Sequence, residues 1–272
     1  MKAGQFTRHW GWALILSAVA AAALAQTSTK EEYRPDVGQA GKDVVWVPTP
    51  QALVDKMLDM AKVTPKDFVM DLGSGDGRTV ITAAKRGARA LGVEYNPDMV
   101  ALSKRNAEKE GVAGKATFVQ ADLFKTDFSK ASVITMFLLT DINLKLRPTI
   151  LTLKPGTRVV SNSFRMGDWE PDETADVTGC NSWCTAYLWI VPARVEGKWK
   201  LEDGDLALKQ TFQMLSGSLN QNGKANPISR GKLNGDQITF VAGGVEYRGR
   251  VADKVMEGTV NGGGSRAWKA TR

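Results

Sequence analysis

The sequence predicts an α/β fold with a parallel sheet covered on both faces, closed by an antiparallel hairpin and followed by a small all-β module. Three observations carry that prediction. Short, near-continuous apolar runs alternate with helical periodicity from about residue 45 to residue 164, as in a sheet buried on both sides. A glycine-rich turn, "VMDLGSGDGRT" at 69–79, joins the first such strand to the next helix. Beyond Val195 the helical pattern ends, and short alternating runs are split by Gly, Asn and Asp, the mark of an antiparallel meander or barrel.

The elements come in this order. Lys2, Arg8 and His9 precede an apolar run from Trp10 to Ala25 that ends in Ala23-Leu24-Ala25. A basic start, a short apolar core and small residues before a polar stretch describe a secretory signal, with cleavage expected after Ala25. The run is short for a membrane span of about 20 residues, although an uncleaved anchor would also export the rest of the chain. Residues 26–44 are polar, with Gly, Pro and mixed charge, and read as a linker or loosely docked arm. The α/β unit is expected over 45–194 and the β module over 195–272.

Within the α/β unit, Leu53, Val54, Met57, Leu58 and Ala61 recur at helical spacing, with Thr49 as the expected cap and Pro50 in the first turn. "DFVMDLG" is a strand and "GRTVITAAKRG" a helix. "ARALGVEYN" is a strand, and "PDMVALSKRNAEKEG" a helix opened by Pro97 and closed by Gly111. "KATFVQAD" and "ASVITMFLL" are strands, "INLKLRPTILTLKPG" a helix, and "TRVVSNSF" a strand. "ETADVTG" and "TAYLWIVPARV" form the closing hairpin, for seven strands in all. In the β module, Trp199 and Trp268 are expected to plug the core.

Composition removes several chemistries. The 36 basic and 29 acidic residues give a net charge of +7; cleavage would remove two cations, Lys2 and Arg8, and no acid. No dense basic run is present, so nucleic acid is not an expected partner. The single histidine is His9, inside the expected leader. The mature chain thus lacks Ser-His-Asp and Cys-His machinery and His-liganded zinc, and no metal is expected. Cys180 and Cys184, in "GCNSWC", are the two cysteines; in an exported chain a local disulfide is the expected state, against two free thiols.

The glycine loop defines the candidate binding site. Gly73, Gly75 and Gly77 let the backbone turn sharply and approach a ligand closely, and the helix beyond offers free N–H groups. Asp71 ends the strand before the loop. Glu94 ends the second strand, where a carboxylate can accept from both hydroxyls of a ribose. Asp122 ends the third strand, placed to meet an adenine edge. The loop lacks the spacing of a nicotinamide site and the GK[ST] of an ATP site.

This set resembles the Rossmann-like class I S-adenosylmethionine (SAM) methyltransferases, and the likeness spans about residues 45–194. The resemblance implies methionine contacts from Asp71, Gly73, Gly75 and Gly77, ribose contacts from Glu94 and adenine contacts from Asp122. "WVPTPQALVDKMLDMAKVTPKDFVMDLGSGDGRTVITAAK", "MFLLTDINLKLRPTILTLKPGTRVVSNSF" and "MGDWEPDET" are more closely similar to a subfamily whose animal members are membrane-anchored lysine methyltransferases of mitochondrial inner-membrane proteins, among them the c-type ring protein of ATP synthase and the adenine nucleotide translocase. That resemblance implies SAM-dependent N-methylation of a protein lysine; the leader adds the expectation that the protein is exported, periplasmic or secreted, with an acceptor in the cell envelope. An exported binding module without transfer, methylation of a small molecule, or an unused leader are the alternatives. Asp141 and Asn143, at the fourth-strand exit "LLTDIN", are the candidate substrate-facing residues, with a helix cap as the competing role for Asp141. Trp183 is expected on the lip of the site, and Trp169 and Trp189 near the closing hairpin.

Overall fold

The computed structural model describes Met1, residues 32–261 and residues 265–272. The expected leader at 1–25 and the first part of the linker lie outside the described residues. Two compact units divide at Glu32 and Tyr33; the second holds everything discussed below.

Seven strands form the first sheet, in the order β3-β2-β1-β4-β5-β7-β6. Five of them are parallel: β1 (Phe68–Leu72), β2 (Arg89–Glu94), β3 (Ala116–Gln120), β4 (Val133–Met136) and β5 (Arg158–Asn162). β7 (Thr185–Ile190) runs antiparallel beside β5, with β6 (Glu173–Asp176) outside it. The strand apolarity has its cause here: Val69, Leu72, Val133, Ile134, Val159 and Val160 are wholly buried between helical layers. α1 (Gln51–Met60), α2 (Arg78–Lys85), α3 (Pro97–Lys109) and α4 (Thr140–Ile150) supply those layers. α1 buries Leu53, Val54, Met57 and Leu58 on one face, burial worth about 2 kcal/mol for each side chain.

Helix starts refine the sequence reading. Asn96 caps α3, its side chain accepting from the N–H of Asp98 at 2.9 Å, with Pro97 in the first turn. Thr49 does not cap α1. It is buried, and its hydroxyl instead accepts from Asn162 Nδ2 at 3.2 Å. Asp141 does not cap α4 either: Leu139 holds the cap position and Asp141 sits in the first turn, where its charge complements the positive helix end. α4 thus starts two residues before the "INLKLRP" pattern and ends at Ile150.

The C-terminal strands close on themselves. β8 (Gly197–Leu201), β9 (Gly204–Thr211), β10 (Met214–Gln221), β11 (Lys224–Pro227), β12 (Ser229–Asn234), β13 (Gln237–Ala242), β14 (Val245–Ala252), β15 (Val255–Asn261) and β16 (Ser265–Thr271) make up the second sheet. β16 returns to β8, and β9 pairs β10 along its whole length. β11 and β12 share β10 as neighbour, one on each half, so together they act as one stave of an up-and-down barrel. Trp199, Phe240, Tyr247 and Trp268 fill the interior; Phe240 and Tyr247 stack at 4.7 Å, with Trp268 edge-on to both.

The barrel is fastened to the α/β part by specific bonds. Trp169 Nε1 donates to Gln213 Oε1, and Gln213 Nε2 donates to the Glu170 carbonyl, both at 2.8 Å. Trp169 stacks on Phe212 at 5.7 Å. Gly235 lies so close to Gly156 that a Cβ there would stand 2.9 Å from the Gly156 Cα.

Candidate active site

The site lies at the C-terminal ends of the parallel strands, where open α/β sheets bind ligands. A cavity of about 420 Å³ runs from Asp122 beyond β3 to Phe137 and Trp183 beyond β4. The glycine loop forms its floor. Gly73, Gly75 and Gly77 all have positive φ, at 80°, 52° and 83°. The loop is pinned to β2, with the N–H groups of Gly73 and Ser74 donating to the Val93 carbonyl. Gly77 occupies the cap position of α2. A Cβ at Gly77 would come within 2.8 Å of the Phe118 ring, so a side chain is excluded there by both conformation and space.

The acids predicted from sequence gather around this loop. Glu94 Oε2 accepts from the Gly75 N–H at 2.9 Å and Oε1 from the Asn96 N–H at 3.0 Å. Both oxygens are thus fixed, and each keeps a lone pair for a ligand. Asp71 is buried under the loop and accepts from the Thr135 hydroxyl at 2.7 Å. Burial pushes its carboxyl up to about 7, with the Thr135 hydrogen bond working against the rise and the charges of Glu94 and Asp76 adding to it. Asp122 accepts from the Phe124 N–H at 3.0 Å and from Lys42 Nζ at 3.3 Å. The Phe124 bond first, and then Lys42, hold its carboxyl below the usual range.

Lys42 and Trp46 belong to a part of the site that the sequence reading missed. Residues 39–44, within the segment read as a linker, line the cavity together with Trp46. The arm is held by a small turn, in which Gly38 N donates to the Trp46 carbonyl and Trp46 N to the Gln39 carbonyl. Lys42 also lies over the rings of Tyr95 and Phe124, at 5.2 and 5.6 Å. The Trp46 indole crosses the loop so closely that a Cβ on Gly75 would sit 2.6 Å from its Nε1. An indole at the end of the polar segment, ahead of the first helix, was the available signal.

Asp141 and Asn143 are not brought to the cavity. Asp141 is exposed on α4. Asn143 is fully buried, and its Nδ2 donates to the Phe164 carbonyl at 3.1 Å; it braces the backbone that carries Phe164. The wall beyond β4 and β5 is aromatic instead. Phe137, Phe164 and Trp183 meet with ring centroids 5.3 to 6.0 Å apart. Cys180 and Cys184 are joined in a disulfide, with Cα atoms 5.7 Å apart, across the turn that bears Trp183. Trp169 and Trp189 are core residues, wholly buried.

The donor set fits S-adenosylmethionine. The glycine cradle leaves backbone space, Glu94 presents two oriented carboxylate oxygens, and Asp122 stands one strand further along beside the Tyr95 and Phe124 rings. Among the described residues, no group of three His, Cys, Asp or Glu side chains gathers to hold a metal ion.

Comparison with known proteins agrees with that fit. Residues 71–173 match the model of the ANTKMT methyltransferase domain. A protein-lysine N-methyltransferase of Saccharolobus islandicus is 46% identical over 151 residues, which are 54% of this chain and 94% of the relative. The adenine nucleotide translocase lysine N-methyltransferase of Mus musculus is 33% identical over 120 residues, covering 43% of this chain and 52% of that protein's length. A solved structure, an RNA methyltransferase from Salinibacter ruber in complex with S-adenosyl-L-homocysteine, is 48% identical, with a TM-score of 0.52 over 55% of this chain and 96% of that one.

Proposed function

We propose, for a chain that belongs to the class I SAM-dependent methyltransferases of the protein-lysine N-methyltransferase kind, that its acceptor is a lysine side chain of a cell-envelope protein. The observation that carries the reading is one continuous cavity, with two oriented acids at its nucleoside end and aromatic rings at its far end. An exposed carbon chain with a terminal amine suits those rings.

The cavity residues would hold SAM, which when bound would supply a methyl group on a sulfonium: an amine lone pair would form the new N–C bond as the C–S bond broke, its electron pair staying on sulfur. Such a displacement asks for alignment more than for a strong base. Glu94, its two oxygens fixed by the Gly75 and Asn96 N–H groups, sets the position of the ribose end. Asp71, held by Thr135, keeps a carboxyl beneath the loop. Residues 32–272 contain no histidine, so the acceptor ammonium gives up its proton before attack to water or to a carboxylate, tyrosine or lysine.

Export is part of the proposal. The leader-like start and the Cys180–Cys184 disulfide both support it. The test incubates the full chain with methyl-labelled SAM and either envelope proteins or total RNA. Label in protein, mapped to lysine by mass spectrometry and absent with Glu94→Ala, is the expected result. Label confined to RNA would overturn the lysine reading. Recovery of leader-bearing protein in the cytoplasm alone would overturn export.

A further inference from the structure

The strand order sets the direction of the cavity. Asp122 follows β3, Glu94 ends β2 and the glycine loop follows β1, so the three cofactor contacts step toward β4 and stop there. The space beyond β4 and β5 is where an acceptor must enter. Phe137 follows β4, Phe164 follows β5, and Trp183 lies in the turn between β6 and β7. These three elements have no sequence adjacency, yet their rings pack together and line the same cavity.

The three rings form a wall rather than a box. Phe137 and Phe164 stack at 28°, Phe164 and Trp183 tilt at 33°, and each pair is in contact, which leaves no room for a ligand between them. Trp183 is 44% exposed, a large apolar surface left open at the cavity mouth. Two devices hold it there. Its backbone is left-handed, with φ 59°, a conformation that a bulky L residue rarely adopts. The Cys180–Cys184 bond clasps the turn around it, and at the turn's base Val177 N donates to the Cys184 carbonyl at 2.9 Å. A strained, cross-linked aromatic residue at the mouth of a site is fixed for something it meets.

Resting on the methyl-transfer reading above, we propose that Phe137, Phe164 and Trp183 are the acceptor-side wall, that this wall takes an alkylammonium side chain by its π faces, and that the disulfide keeps Trp183 in it. Asn143 is a positioning residue for the wall, acting through the Phe164 carbonyl. Reduction of the disulfide releases the turn and lowers acceptor affinity while leaving the cofactor end unchanged.

Calorimetry of the full chain saturated with S-adenosylhomocysteine tests this. The probes are a short peptide carrying trimethyllysine, a cation at every pH, and the same peptide with the neutral tert-butyl isostere. The cation should bind roughly fivefold tighter. Trp183→Ala, the double change Cys180→Ser with Cys184→Ser, and reduction of the wild type should each erase that preference, while Trp183→Phe retains it. S-adenosylhomocysteine affinity should be equal in all of them. Equal binding of the two peptides to the wild type, no binding of either, or a preference intact in Trp183→Ala would overturn the proposal. Failure of the wild type to bind S-adenosylhomocysteine would sink the methyl-transfer reading instead, and the same peptide pair without it would still decide the wall.

Discussion

Replacing Asp71 with Asn should make the protein's stability respond differently to pH. The carboxyl is buried, and its folded-state value rises from the usual 3.8 to about 7. Between those limits the native state binds a proton that the unfolded chain has released. Stability therefore falls as pH rises through this window and levels off above about 7. Each pH unit inside it is worth about 1.4 kcal/mol, so from pH 5 to pH 8 the wild type should lose about 3 kcal/mol through this one group. Asn at position 71 can still accept from the Thr135 hydroxyl and does not titrate, so it escapes that loss. Any fixed cost of the amide cancels when the two pH values are compared. Residues 32–272 contain no histidine, and both cysteines are bonded, so neither type of side chain in this span adds a titration to the interval. Urea unfolding of both proteins at pH 5 and pH 8 measures it. A wild-type-minus-variant difference that stays constant across the two pH values would refute the reasoning.

Three further outcomes are expected. Glu94→Gln should weaken S-adenosylhomocysteine binding by about 10- to 100-fold, because charge-assisted hydrogen bonds are worth about 1.5–3 kcal/mol; calorimetry beside an unchanged circular dichroism spectrum checks it. Lys42→Ala should tighten that binding by up to about fivefold at low salt, since Lys42 occupies Asp122 and covers the Tyr95 and Phe124 rings, and the gain should shrink as salt screens the pair. Gly77→Ala should lower the melting temperature by several degrees, from a left-handed backbone penalty of about 1–2 kcal/mol and a clash with Phe118 and Ser103; a melting temperature unchanged by the substitution would mean that the loop relaxes.

Local pattern and function were legible in the sequence to different degrees. The alternation of strand and helix, the glycine loop and the acids that end the second and third strands at the cavity were readable because each depends on residues close in the chain. The closing hairpin and the tryptophan-plugged barrel were readable from alternation and turn residues. The arm was not: Lys42 meets Asp122 across 80 positions, and no periodicity marks a segment held by two backbone bonds and an indole. Asn143 was misplaced for a similar reason. Position after the fourth strand suggests an outward residue, but the helix begins at Thr140 and turns Asn143 into the core beneath Phe164. Phe137, Phe164 and Trp183 come from three separate loops, and only the folded sheet makes them one surface.

The joint between Trp169 and Gln213 bears on how interchangeable the barrel is. One amide satisfies the buried indole N–H of the α/β part and the partly buried Glu170 carbonyl together. A different barrel grafted after Val195 would strand those two groups unless it carried a glutamine at the matching turn and a glycine where Gly235 meets Gly156. Each stranded group costs about 1–3 kcal/mol. A replacement barrel must therefore bring together the two turns that touch the α/β part, the one bearing Gln213 and the one bearing Gly235.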